Sequence, residues 1–408
     1  MRLKHFLLAL IFANGLLCLR AADSPPSEWI DPDTGHRIVR LSTEPGSESL
    51  YFNENAWTAQ GDKMVYYAPD GIYDYNFKTR QNELVVAGTN ISGVIVSRNS
   101  RKVYYVRRDE HALTAYSTHL DTHKTHEIGK VPDGGSVLAV NANDTLLAGS
   151  FVEGGGRFHW MPGERKGEMM ARRLAAHEPM ALFTLDIQTG NLNVFNHSSD
   201  WLNHVQFSPT DPNLMLFCHE GPWHLVDRIW TIHSDGADLK LIQPRTMQME
   251  IAGHEFFSPD GKWIWYDLQT PRGEDFWLGG YGITTGNRLW YHMQRDEWSI
   301  HFNVSHDGTL FAGDGGDSGQ VAHAQNGRWL YLFHPRRIDA SSEKSTNMDT
   351  QDMIQTGVFD AEKLVNMAKQ DYALEPNVNF SPDDKWIVFR SNMFGPEYVF
   401  AVEVARAQ

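Results

Sequence analysis

The sequence predicts an all-β fold, a seven-bladed β-propeller closed by its N-terminal strand and carrying short helical insertions. Three observations lead there. A polar turn followed by an apolar strand recurs seven times, each recurrence continues into further strands, and the last unit lacks an outer strand that the N-terminal region can supply. Two packed β-sandwiches would bury comparable surface but would not explain seven matching turns.

Residues 1–22 come first. Arg2 and Lys4 precede an apolar run from Phe6 to Leu19, and Ala21 and Ala22 follow. That order is the order of a secretory signal peptide, and the run is too short for a membrane-spanning helix. The expected organisation is a signal peptide over 1–22 and one propeller domain over 23–408, exported to the periplasm or secreted, with no membrane attachment once the leader is removed. Cys18 and Cys218 are the only cysteines, so cleavage leaves one thiol and no internal disulfide. The formal charge of −15 becomes −18 when Arg2, Lys4 and Arg20 leave with the leader. Such an acidic chain argues against nucleic acid as a partner and requires a local cationic pocket for any anionic ligand. Oligomeric state is not legible.

The segment DPDTGHRIVRL, residues 31–41, has the shape of a turn and strand and is the candidate for closing the ring. Closure of this kind removes both exposed sheet edges. The turns then begin at Thr58, Ser97, Asn141, Ser208, Ser258, Ser305 and Ser381, each before an aromatic or β-branched run such as KMVYYA, LMLFC or KWIWY. The shorter spacings, 39 to 50 residues, match a four-stranded blade, and the two longer ones hold insertions. Gly154–Met180 is Gly-rich, then basic and rich in Met and Ala, which predicts a short helix. Ile338–Leu374 contains DAEKLVNMAKQ, an amphipathic run that also reads as helix.

His204, His254, His301 and Asn377 each lie four residues before the serine of their repeat. In a propeller that register is the innermost strand, so three imidazoles are expected at one channel. A lone histidine beside a strand is usually structural; three in one register suit a divalent metal or a general base with binding groups. His219, Glu220 and Arg228 in FCHEGPWHLVDRIW, Arg272 after GHEFFSPDGKWIWYDLQTP, and Asp314 and Asp317 in GDGGD are ionisable groups near the same strand ends. No GxSxG, HExxH, phosphate loop or cysteine cluster occurs, which withdraws support from serine hydrolysis, zincin chemistry and nucleotide transfer.

At these motifs the chain resembles the oligogalacturonate lyases, seven-bladed propellers that cleave short pectic oligosaccharides by β-elimination. The resemblance runs through DPDTGHRIVRL, HEGP with its following Arg-hydrophobic-Trp, GHEFFSPDG, HFNVSHDGTLFAGDG and NFSPDDKWIVF. It implies that His254 is the Brønsted base, Arg228 the catalytic arginine and His301 a manganese ligand. In a uronate lyase mechanism, Arg272 would help neutralise the substrate carboxylate and His204 or His219 would protonate the leaving C4 oxygen, so these three are the candidates for binding an acidic oligosaccharide. The family's other ligands lie in a Q-x-x-H-P-H segment, where this chain reads YALEPN over Tyr372–Asn377. Glu375 and Asn377 are then the candidate oxygen ligands beside His301 for Mn²⁺ or Ca²⁺, unless the ion is lost. A non-catalytic exported propeller binding glycans or proteins, and a lyase for another uronate linkage, are the alternatives.

Overall fold

The computed structural model describes residues 25–109, 112–156, 158–320, 325–338 and 353–407. Residues 1–22, expected to be a signal peptide, therefore lie outside the described residues. Successive antiparallel sheets of four strands follow one another along the chain, beginning with Glu48–Ser49, Lys63–Ala68, Gly71–Asn76 and Gln81–Ala87. Hydrophobic clusters form between neighbouring sheets, as where Val65 and Tyr66 share a cluster with Val94, Val103 and Tyr105. This is a β-propeller, with the core divided among the interfaces between blades.

Among the described residues the hydrogen-bonded sheets number six, because one has eight strands. Two antiparallel four-strand runs, 251–292 and 302–366, are joined in it by a parallel pairing of Arg288–His292 with Gln355–Asn366. The helix expected at DAEKLVNMAKQ is corrected here: Gln355–Asn366 is a twelve-residue strand. It pairs antiparallel with Trp329–Arg337 through residues 357–366 and also along the neighbouring run. Two ladders of backbone hydrogen bonds outweigh a helix propensity worth only tenths of a kcal/mol per residue. The other insertion does hold a helix, α1, Lys166–Ala176, the only α-helix among the described residues. No helix there is long and apolar enough to cross a membrane.

Ring closure follows the expected route. His36–Arg40 pairs with Tyr398–Arg406, setting Ile38 opposite Val402 and Arg40 opposite Phe400. His36 is fully buried in this seam, its ring bonded to the Glu403 carbonyl and to Glu362.

The three Ser-x-Asp turns, at Ser258, Ser305 and Ser381, share one mechanism. Ser258 Oγ donates to Asp260 and accepts from the Trp263 N–H at 3.0 Å, while Gly261 takes the left-handed conformation at φ 69°. Ser305 and Ser381 bond Asp307 and Asp383 in the same way, each at 2.7 Å. The side chains thus satisfy the backbone groups of a tight turn and fix the register of the strand that follows.

Candidate active site

The innermost strands are bulged where the candidate residues sit. Pairing shifts between Asn203 and Gln206 and between Gly253 and Phe256, and His204 and His254 adopt φ 49° and 47°. A bulge with a left-handed residue re-aims its side chain out of the alternating pattern. Non-glycine residues bear a cost of order 1 kcal/mol there, and such strain gathers at functional sites. Asn377, in the same register, has φ 58°.

His254 and His301 meet at the channel with ring centroids 4.7 Å apart. Each imidazole is held by a carboxylate thirteen residues further on. His254 Nδ1 lies 2.9 Å from Asp267 Oδ1, and His301 Nδ1 lies 2.8 Å from Asp314 Oδ2. Both aspartates are buried, Asp267 on the strand that pairs with the His254 strand and Asp314 directly after Phe311–Gly313. An ionised carboxylate only accepts, so each Nδ1 carries the proton and each Nε2 presents a lone pair. His254 Nε2 has no hydrogen-bond partner among the described residues, whereas His301 Nε2 faces the Tyr51 hydroxyl at 3.1 Å and Glu375 Oε2 at 3.6 Å.

Arg228 is buried beside this pair. Its Nε donates to Glu255 Oε2 at 3.0 Å and its Nη1 to Glu220 Oε1 at 2.7 Å, and no protein acceptor among the described residues takes Nη2. Gly253 explains how close the groups come. A Cβ there would stand 3.1 Å from Asp267 Oδ1 and 3.9 Å from Arg228 Nε, so the orienting carboxylate of His254 and the guanidinium converge on one glycine. His204 joins from the preceding blade, Nε2 3.4 Å from Glu220 Oε2. Burial alone would raise the Glu220 carboxyl, but Arg228 and then His204 hold it well below the usual range.

Other candidates are placed elsewhere. His219 alternates with Cys218 and Glu220 along Leu214–Glu220, so it points to the other sheet face, stacked on Trp230 and bonded to Asp200. Arg272 is exposed on the turn after Gln269, with no side-chain partner among the described residues. The Asn377 amide, oriented to satisfy its neighbours, accepts from Arg390 at 3.0 and 3.1 Å and does not turn to His301. Tyr372 is buried and donates to the Asp314 carbonyl.

Sequence reasoning missed Tyr51 and Asp267; the helix α1 it did predict. Asp267 had a signal: it lies nine residues after Ser258 as Asp314 lies nine after Ser305, and it is the one acid in an apolar strand. Tyr51 had none, because it precedes the first repeat. Helix α1 sets Lys166 over Trp223 at 5.3 Å and Arg173 over Trp201 at 3.9 Å. Trp223 is 6.5 Å from His254 and donates to Glu220, so the helix brings cations and aromatic faces to the rim of the site.

A propeller that aims an oriented imidazole and an open guanidinium nitrogen into its channel mouth is an enzyme scaffold for proton transfer on an anionic substrate. Among such propellers it falls in one group. The chain belongs to the oligogalacturonate lyase family, whose model matches residues 27–407. The oligogalacturonate lyase of Dickeya dadantii (strain 3937) is 26% identical over 395 residues, 92% of this chain and 95% of that one. The oligogalacturonide lyase of Pectobacterium atrosepticum is 25% identical over 393 residues, with the same coverage. In fold, the chain is similar to an oligogalacturonate lyase solved in complex with manganese, at TM-score 0.75 and 22% identity over 93% of this chain and 96% of that one. It is equally similar to the oligogalacturonate lyase of Vibrio parahaemolyticus, at TM-score 0.76 and 23% identity with the same coverage.

Proposed function

We propose that the protein is an oligogalacturonate lyase that cleaves its substrate by β-elimination, leaving a 4,5-unsaturated sugar. The observation that carries this reading is the pairing of His254, fixed by Asp267 with Nε2 free, with Arg228, whose Nη2 is open beside it. The C5 proton of a uronate is acidic enough to remove only when the adjacent carboxylate is neutralised, because charge develops on that carboxylate as the proton leaves. Arg228 Nη2 donates to the carboxylate, His254 Nε2 takes the C5 proton, and the C4 oxygen leaves with a proton from water or His204. Lys166 and Arg173 supply the cationic rim that a chain of net charge −15 needs to admit an acidic oligosaccharide.

The charge of Arg228 is already opposed by Glu220 and Glu255, so one guanidinium is not enough. The donor set fits a divalent cation: His301 offers an imidazole backed by Asp314, and Glu375 a carboxylate 3.6 Å away. Imidazole with carboxylate suits Mn²⁺ better than Ca²⁺, which prefers oxygen alone. When bound, the ion supplies positive charge for the substrate carboxylate. Asn377 is a weaker candidate ligand, since Arg390 occupies its carbonyl oxygen. A decayed binding module would have no need for the two aspartate-held imidazoles, and that alternative is not favoured. We also propose that residues 1–22 export the chain, on the charged, apolar and small-residue order of that segment.

The test is ultraviolet absorbance of the unsaturated product on incubation with oligogalacturonides, with EDTA and with Mn²⁺ restored. A rise that EDTA abolishes and Mn²⁺ returns supports both parts. A rise indifferent to EDTA removes the ion, and no rise in any condition removes the lyase reading.

A further inference from the structure

Cys218 is the one cysteine among the described residues, and it is fully buried on the strand that also carries Glu220. Its thiol is not isolated. His204 Nε2, Cys218 Sγ and Glu220 Oε2 lie within 4.8 Å of one another, with Nε2 to Oε2 at 3.4 Å and Sγ to Oε2 at 3.8 Å. Tetrahedral zinc with its ordinary bond lengths spans about 3.3 Å between N and O ligands and about 3.5 Å between S and O ligands. The N–O and S–O edges need to close by only a few tenths of an ångström.

The surroundings favour a cation. Glu220 and Glu255 are two buried carboxylates for the single buried guanidinium of Arg228, and Glu255 Oε1 has no hydrogen-bond partner among the described residues. Buried carboxylates in excess of their cations are costly, so this cluster favours an added cation. Glu220 is arranged for a metal: Oε1 receives Arg228 and the Trp223 indole, leaving Oε2 toward His204 and Cys218. A carboxylate held on one oxygen and presented on the other is the usual support around a metal ligand.

We propose that His204, Cys218 and Glu220 form a second metal site, selective for thiophilic divalent ions such as Zn²⁺ and Cd²⁺ and separate from the His301–Glu375 locus, and that filling it inhibits the enzyme. Selectivity follows from the ligands, because a thiolate favours Zn²⁺ over the harder Mn²⁺. The Cys218 thiol gives its proton to solvent as the S–Zn bond forms, so binding releases one proton. Inhibition follows because the ion ties up His204 and the carboxylate that holds Arg228, and leaves its fourth position to water or to a misplaced uronate carboxylate. That last step rests on the lyase reading; the binding itself does not.

Titration of the full chain with Cd²⁺ tests the two parts separately. The expected result is a thiolate-to-cadmium charge-transfer band saturating at one equivalent, absent in Cys218→Ser and weakened at least tenfold in affinity in His204→Gln, with thermal melts confirming that both variants fold. Cys218→Ala serves if the serine variant does not. In lyase assays at saturating Mn²⁺, the Zn²⁺ concentration for half-inhibition should rise at least tenfold in the cysteine variant. No band in the wild type, or a band that survives loss of Cys218, overturns the site. Equal Zn²⁺ sensitivity of wild type and variant overturns the inhibition while a band would leave the site standing.

Discussion

Replacing Asp267 by Asn separates orientation of the base from every other role in the site. Asp267 is buried, touches no group assigned to substrate, and holds His254 Nδ1 at 2.9 Å. The amide is isosteric but neutral, and it can present its NH₂ to Nδ1, in which case the proton moves to Nε2 and the atom that must accept the C5 proton is blocked. A hydrogen bond to a charged partner contributes about 1.5–3 kcal/mol. Lost from the transition state alone, that is roughly a tenfold to hundredfold fall in kcat. KM should stay within about threefold, because the carboxylate does not bind substrate. The assay is steady-state formation of unsaturated product at saturating Mn²⁺, with Mn²⁺ affinity measured separately and unchanged. A folded Asp267→Asn enzyme with kcat within twofold of wild type, or with the loss confined to KM, would refute the assignment of His254 Nε2 as the base.

The equivalent change in the next blade should behave differently. Asp314→Asn removes the support of His301 and should weaken Mn²⁺ binding about tenfold to a hundredfold, with activity recovering at high Mn²⁺; calorimetric titration of Mn²⁺ reads this directly. Lys166→Ala should raise KM severalfold for oligogalacturonide with kcat little changed, since Lys166 stands over Trp223 at the rim and not beside His254. Burial in the channel pushes the Glu54 carboxyl up to about 7, against the lowering effect of the Tyr51 N–H. Its folded form keeps a proton that the unfolded chain has lost, so stability falls as pH rises from the ordinary carboxylate range through about 7. Glu54→Gln should therefore be more stable than wild type by on the order of 1–3 kcal/mol at pH 8 and no different at pH 4, as measured by denaturant unfolding.

Much of this was legible because turns and register repeat. The Ser-x-Asp turns, the N-terminal strand at the closing seam and the position four residues before each serine all follow from local chemistry that the chain states several times over. What the sequence hid is non-local. The strand at Gln355–Asn366 owes its state to two partners, one of them paired 66 residues earlier, so its helical pattern misled. Asn377 holds the register of a ligand, but Arg390, from the next strand, claims its oxygen. His219 stands between two residues that face the cluster, and strand alternation turns it away. Tyr51 reaches His301 across the ring from outside any repeat, and nothing in its neighbours announces that contact.

The central claim is that His254 removes the C5 proton of a bound uronate. Its most direct measurement is turnover by His254→Asn on an oligogalacturonide, alongside calorimetric binding of the same substrate to the same protein. The account predicts a loss of at least a hundredfold in kcat with affinity within a few-fold of wild type. Turnover within tenfold of wild type, in a protein that still binds substrate, would contradict it.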